Sequence, residues 1–242
     1  MSTANRPLLA PALVVHRQTQ SLGAEADLNR GLDLLAEVKN GRRAALLRLY
    51  RPEPTVAFGQ RDTKLPGFAA AAEASTARGF VPAVRRAGGR AAAYHQGTLV
   101  VDHIQPEQDA IADAKPRFGF FGDLFTEALR SLGVDAGVGE IPGEYCPGEF
   151  SVFGRGGAGA VKLVGTAQRV VSGAWLFSSV IVVENSAPIR QVLVDTYSAL
   201  GLDWDPRTAG AAEDLVPGVT VDAVEEAVIA AYGRHTELLR EQ

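Results

Sequence analysis

The stretch GEIPGEYCPGEFSVFGRGGAGAVKLVGTAQ, residues 139–168, holds Cys146, the only cysteine of the chain, between Pro142 and Pro147. Proline and glycine on both sides describe a surface turn, where a thiol can meet a substrate. The bland alternative is a small buried hydrophobe, as most free cysteines are. A nucleophilic thiol also needs partial exposure and a neighbouring positive charge to favour the thiolate. Lys162, downstream in the same stretch, supplies such a charge if the chain folds back. By spacing alone, Lys162 faces water on alternate strand positions, with Val161 and Leu163 facing in. The following Gly165, Thr166 and Ala167 are small and uncharged, and let a ligand or another backbone come close.

A second constellation, VRRAGGRAAAYHQGTLVV, covers residues 84–101. Gly88 and Gly89 let backbone N–H groups approach an anion or a carbonyl, with Arg85, Arg86, Arg90 and His95 around them. It is not a phosphate-binding P-loop, since no Gly-Lys-Ser/Thr ending is present and no helix is expected after it. Read alone it is a tight hairpin with arginines on a solvated face, and His95 is a hydrogen-bonded structural histidine. The run GRGGAGA, residues 154–160, reads as a hairpin loop. Histidines at 16, 95, 103 and 235 and one cysteine give no close-spaced ligand pair, so no metal site is expected.

These segments need elements to position them. The expected strands are ALVVH, AALLRLY, TVAFG, VPAVRR, AAAYH, TLVVDHI, FSVFG, AVKLVGTAQ and AWLFSSVIVVE. Helices are expected in residues 21–39 with Ser21 as N-cap, 68–78, 121–132, 188–200 and 221–232. Strands come in groups of two or three separated by single helices. That predicts an α/β (α+β type) fold, a mixed and largely antiparallel β-sheet flanked by helices. No linker divides the 242 residues, although the final helices could form a small appendage. The net charge of −4 argues against nucleic acid as a partner, and 46% hydrophobic residues suffice for a core. No apolar run of membrane-spanning length and no signal peptide is expected, and a lone cysteine fits a reducing, cytoplasmic setting.

Four segments, in order, resemble the lipoate/biotin protein ligase and octanoyltransferase family. RRAGGRAAAYHQGTLVVD is similar to its Arg-x-Ser/Thr-Gly-Gly-x-Ala-Val-x-His segment, with Ala87 at the Ser/Thr position and Arg90 where the ATP-using ligases prefer a third glycine. VKLVGTAQR is similar to the segment carrying the family's shared lysine, LRLYRPEPTVAFGQ to its upstream strand pair, and GEYCPGEFSV to the Tyr-Cys-Pro-Gly segment of the cysteine-dependent amidotransferase branch. The resemblance covers about residues 20–230 and implies one catalytic domain over 1–242, with an acyl chain lying under the glycine segment. It implies that Cys146 is the nucleophile, that Lys162 contacts the acyl carbonyl, and that Arg86, Gly88, Gly89, His95, Gly165, Thr166 and Ala167 bind substrate.

The implied activity transfers an octanoyl or lipoyl group from a carrier-protein donor to a lysine of a lipoyl domain. The glycine-cleavage H protein and 2-oxo-acid dehydrogenase acyltransferase subunits are examples of such acceptors. No cofactor is expected on this reading. An ATP- and Mg-dependent lipoate–protein ligase, or a non-catalytic lipoyl-domain binder, are the alternatives. The chemistry favours thiol and ammonium facing one carbonyl, the ammonium both favouring the thiolate and stabilising an oxyanion, an effect worth about 3–4 kcal/mol per donor. The expected apolar walls are Val81, Val84, Leu163 and Val164. Arg85, Arg86, Arg90 and Arg169 are expected to form a basic patch for an acidic carrier.

Overall fold

The computed structural model describes residues 8–111 and 113–241. The first seven residues, part of the segment read as lacking a signal peptide, lie outside the described residues. In chain order the elements are β1 (Ala12–Gln18), α1 (Ala24–Lys39), β2 (Leu46–Tyr50), β3 (Thr55–Phe58), α2 (Phe68–Ala77), β4 (Val81–Val84), β5 (Ala92–Tyr94) and β6 (Thr98–Glu107). Then follow α3 (Ala114–Ser131), β7 (Ala136–Val138), β8 (Val152–Gly156), β9 (Gly159–Val171), β10 (Gly173–Val182), α4 (Ser186–Leu200), α5 (Ala212–Leu215), α6 (Val221–Gly233) and β11 (Glu237–Arg240).

Eight strands form one sheet in the order β11-β1-β2-β6-β10-β9-β8-β7, and β4-β3-β5 form a second. The pairs β1–β2 and β1–β11 are parallel, while β2–β6, β6–β10, β10–β9, β9–β8 and β8–β7 are antiparallel. The mixed, largely antiparallel sheet expected from the grouped strands is therefore the one observed. Among the described residues no helix is long and apolar enough to cross a membrane.

Strand alternation divides the core. Leu99 and Val101 of β6 and Trp175 and Phe177 of β10 join one apolar cluster with Phe121 and Phe125 of α3 and Val224 and Val228 of α6. Ile104 and Leu176, on the opposite face, pack under Leu34, Leu35 and Val38 of α1. A third cluster joins Val56 and Phe58 of β3 to Ile189 and Tyr197 of α4, with Tyr145. The two long central strands thus bury both faces, which is why they read as continuous apolar runs.

Several local expectations change. Ser21 does not cap α1. Gly23 stands at the N-cap, and the Ser21 hydroxyl donates to Asp27 instead, 2.5 Å away. Leu22, within the expected helix span, precedes α1 and is 55% exposed. Helix α3 begins at Ala114 and not at 121, because Pro116 falls in the first turn, where it removes no needed donor. Its buried Arg117 also breaks the apolar period that would have announced the turn. The last helices are not an appendage: α4 packs on α2 and α6 on α3, and β11 returns to pair with β1. The short β7, α5 and β11 were not expected.

Candidate active site

Cys146 lies in the loop between β7 and β8. Its φ of 44° places a non-glycine residue in the left-handed region, a conformation that persists only where the surroundings fix it. Tyr197 of α4 does the fixing. Its hydroxyl accepts the Cys146 N–H at 2.8 Å and donates to the Ala91 carbonyl at 2.9 Å. Burial first, then the adjacent Cys146, push the tyrosine hydroxyl well above its ordinary pKa, so it stays a donor.

The sulfur points at the β4–β5 loop. It accepts the Arg90 backbone N–H at 3.2 Å and faces Nη2 of Arg85 at 3.6 Å. Arg85 is held there by donating to the Arg90 carbonyl at 2.6 Å, and Arg90 by pairing with the fully buried Asp62 at 3.1 Å. Gly89, with φ +100°, permits this approach. A Cβ there would stand 2.9 Å from the sulfur and 2.5 Å from Arg85 Nη2. Backbone N–H and guanidinium are donors that stabilise negative charge on sulfur.

Lys162 is 2% exposed, against the strand-alternation reading that faced it to water. The reason is a register shift: Val152 pairs with Val164, but the next residue, Phe153, pairs with Lys162. The extra residue, Leu163, makes a bulge, and Lys162, Leu163 and Val164 are all buried. The Lys162 ammonium donates to Glu144 Oε1 at 3.0 Å and to the carbonyls of Tyr145 at 3.1 Å and Cys146 at 2.7 Å. Thiol and lysine therefore share one site. The ammonium, however, holds the backbone of the cysteine, while Arg85 and the Arg90 N–H are the donors given to the sulfur.

Glu144, whose side chain is fully buried, anchors the rest of the loop. Besides Lys162, its Oε1 accepts the Ser151 hydroxyl at 2.6 Å and the Gly148 N–H at 3.0 Å, and its Oε2 accepts the Ile141 N–H at 3.3 Å. Neither Glu144 nor Tyr197 was singled out in the sequence. Glu144 stands two residues before the cysteine, and that proximity was the one available signal. Tyr197 lies in a helix far along the chain and gave none.

A cavity of about 530 Å³ opens beside the sulfur. Gly88, Gly89, Gly165, Thr166 and Ala167 line it, together with Cys146 and Lys162. His95 does not reach it. The histidine ring bonds the Asn185 carbonyl at 3.0 Å and the Gly97 N–H at 2.8 Å, the structural role its residue type suggested. Arg86 lines a small neighbouring cleft instead. The apolar wall comes from Ala92, Ala93, Phe118, Phe150 and Val180, and not from the expected valines. Val81 and Val84 are 44% and 40% exposed, and Leu163 and Val164 belong to the α3–α6 core. Of the four arginines expected to form a basic patch, Arg86 is exposed. Arg85 and Arg90 are turned inward as described, and Arg169 donates to the Arg86 carbonyl at 3.1 Å.

A family model describing the lipoyl protein ligase A/B catalytic domain matches residues 28–233. The chain belongs to this family. The octanoyl-[GcvH]:protein N-octanoyltransferase of Geobacillus kaustophilus is 30% identical over 192 residues, spanning 79% of this chain and 66% of the relative. Its namesake from Exiguobacterium sp. is 27% identical over 202 residues, spanning 78% and 69%. The chain thus spans about two thirds of the length of these relatives. Among solved structures, lipoate-protein ligase A bound with ATP superposes with a TM-score of 0.73 at 19% identity, covering 95% of this chain and 88% of the other. The bi-partite lipoate protein ligase of Thermoplasma acidophilum gives 0.67 at 19%, covering 96% and 88%. At that identity the structures share the fold.

Proposed function

We propose that the protein transfers an octanoyl group from a donor carrier to a lysine of a lipoyl-type carrier domain through a thioester on Cys146. The observation that carries this is the sulfur itself, met by a backbone N–H and a guanidinium at the rim of a cavity walled by small and aromatic side chains. Relatives named for octanoyl, GcvH and protein N-octanoylation support the acyl group and the class of partner.

In the first step the Cys146 thiol gives up its proton, its sulfur attacks the donor's acyl carbonyl, the new carbon–sulfur bond forms as the donor's bond to the acyl carbon breaks, and the leaving thiol or amine takes up the released proton. In the second, the acceptor ε-ammonium gives one proton to water, its nitrogen attacks the thioester and the carbon–sulfur bond breaks. The remaining extra proton on nitrogen passes to the departing thiolate. Thioester to amide runs downhill and amide to amide is nearly even, so neither route requires a nucleotide. Splitting the transfer in two is what an enzyme thiol contributes. The setting is taken as cytoplasmic.

Intact-mass measurement after mixing with an octanoylated carrier tests the reading. An octanoyl adduct on the protein that is absent in Cys146→Ala is the expected result. Acceptor octanoylation that requires ATP and survives Cys146→Ala would replace it with the ligase alternative. Tight acceptor binding without turnover would leave only a carrier-binding role.

A further inference from the structure

The transfer proposed above brings a cation, the acceptor lysine, to a cavity already lined by cations: Arg61, Arg85, Lys115 and Lys162. Like charges disfavour that entry, so the route needs a counter-charge. Among the described residues one carboxylate lines the cavity, that of Glu149, three positions beyond the nucleophile. It is occupied by a lysine. Lys115 Nζ lies 3.1 Å from Glu149 Oε1, and 5.9 Å above the ring of Phe150. Phe150 in turn stacks on Phe118, with ring centroids 5.9 Å apart. Carboxylate and aromatic face together are a seat suited to an ammonium.

Lys115 is a weak tenant of that seat. The pair is exposed, 73% and 66% at the two side chains, and exposed pairs contribute little. Lys115 also stands in the first turn of α3, where the helix dipole disfavours a positive charge. We propose that Glu149 is a positioning residue for the second half-reaction: its carboxylate receives the acceptor's ε-ammonium in place of Lys115 and directs it toward the acyl group on Cys146. This rests on the thioester reading.

The test separates charged from neutral nucleophiles. Protein is charged from an octanoylated carrier, freed of donor, and discharged at neutral pH by Nα-acetyl-lysine amide, by a lipoyl-type domain bearing its acceptor lysine, or by hydroxylamine, which is uncharged there. In Glu149→Gln the ratio of lysine to hydroxylamine discharge rates falls about threefold, as expected for losing one exposed ion pair. In Lys115→Ala, which vacates the seat, that ratio holds or rises. An unchanged ratio in Glu149→Gln overturns the inference. So does an equal fall in Lys115→Ala, which would mean that the pair only braces the loop. Wild-type protein that never charges overturns the thioester reading, and this inference with it, whereas charging followed by an unchanged ratio overturns this inference alone.

Discussion

Lys162→Met removes an ammonium accepted by one buried carboxylate and two carbonyls. Breaking a buried pair from one side leaves an uncompensated charge and costs about 3–5 kcal/mol. Urea unfolding of Lys162→Met is expected to register a loss of that size, and Lys162→Met combined with Glu144→Gln to recover part of it, because the stranded charge is then gone. Purely additive losses would mean that the two side chains do not act as a pair. Gly89→Ala tests the other side of the site. Its methyl group would press on the sulfur and on Arg85, at a backbone angle that alanine resists. Misplacing a reacting atom by an ångström can slow a reaction about 100-fold. Octanoyl adduct formation in this variant, followed by mass, is expected to slow by that order, with a loss of about 1–2 kcal/mol in unfolding free energy for alanine at a left-handed angle.

At the scale of elements, the site depends on how β9 is seated. Gln168 of β9 donates to the Ala114 carbonyl at 2.7 Å and accepts from Arg117 Nε at 3.2 Å, tying the strand to the start of α3. Arg117 is itself held by Glu107 at 3.2 Å and lies 4.8 Å over Trp175. With the strand fixed in this way, its small residues leave the cavity open. Ala167→Leu inserts methyl groups into that space, and overpacking of this kind costs roughly 1–3 kcal/mol. Competition between octanoyl and butanoyl donors is expected to shift toward butanoyl by about tenfold. Equal use of both chains in the variant would mean that the acyl group lies elsewhere in the cavity.

At the scale of the whole molecule, stability should depend on pH through His103. It is fully buried among Trp175, Phe121 and Tyr232, with ring centroids 4.7, 5.3 and 5.6 Å away. Burial pushes its pKa down to about 3. Nε2 lies 3.0 Å from Gln105 Oε1, an oxygen that also accepts the Ala10 N–H, so Nε2 carries the proton in the neutral ring. Below about 6.5 the unfolded chain binds a proton that the folded core refuses until about 3. Stability therefore falls as pH drops through that window, by about 1.4 kcal/mol per pH unit for this one group. Denaturant unfolding between pH 7 and pH 5 is expected to show a shallower slope in His103→Phe, the difference growing from about a quarter of a proton at pH 7 to nearly one at pH 5. Identical slopes would place a proton on the ring in the folded state.

The amino-acid sequence determined the grouping of strands and helices, and hence the mixed sheet, because apolar periodicity and turn residues act locally. It also marked Cys146 through its Pro/Gly neighbours, and Gly88, Gly89 and the 165–167 segment through their small size. The direction of Lys162 was settled by the bulge against β8, since pairing with another strand, and not spacing, decides which face a side chain takes. Tyr197, Glu144 and Arg85 acquire their roles only when α4, the 141–151 loop and the β4–β5 loop converge. The donors that reach one sulfur atom come from positions far apart along the chain, and only the packing of the helices and sheets brings them within hydrogen-bonding distance.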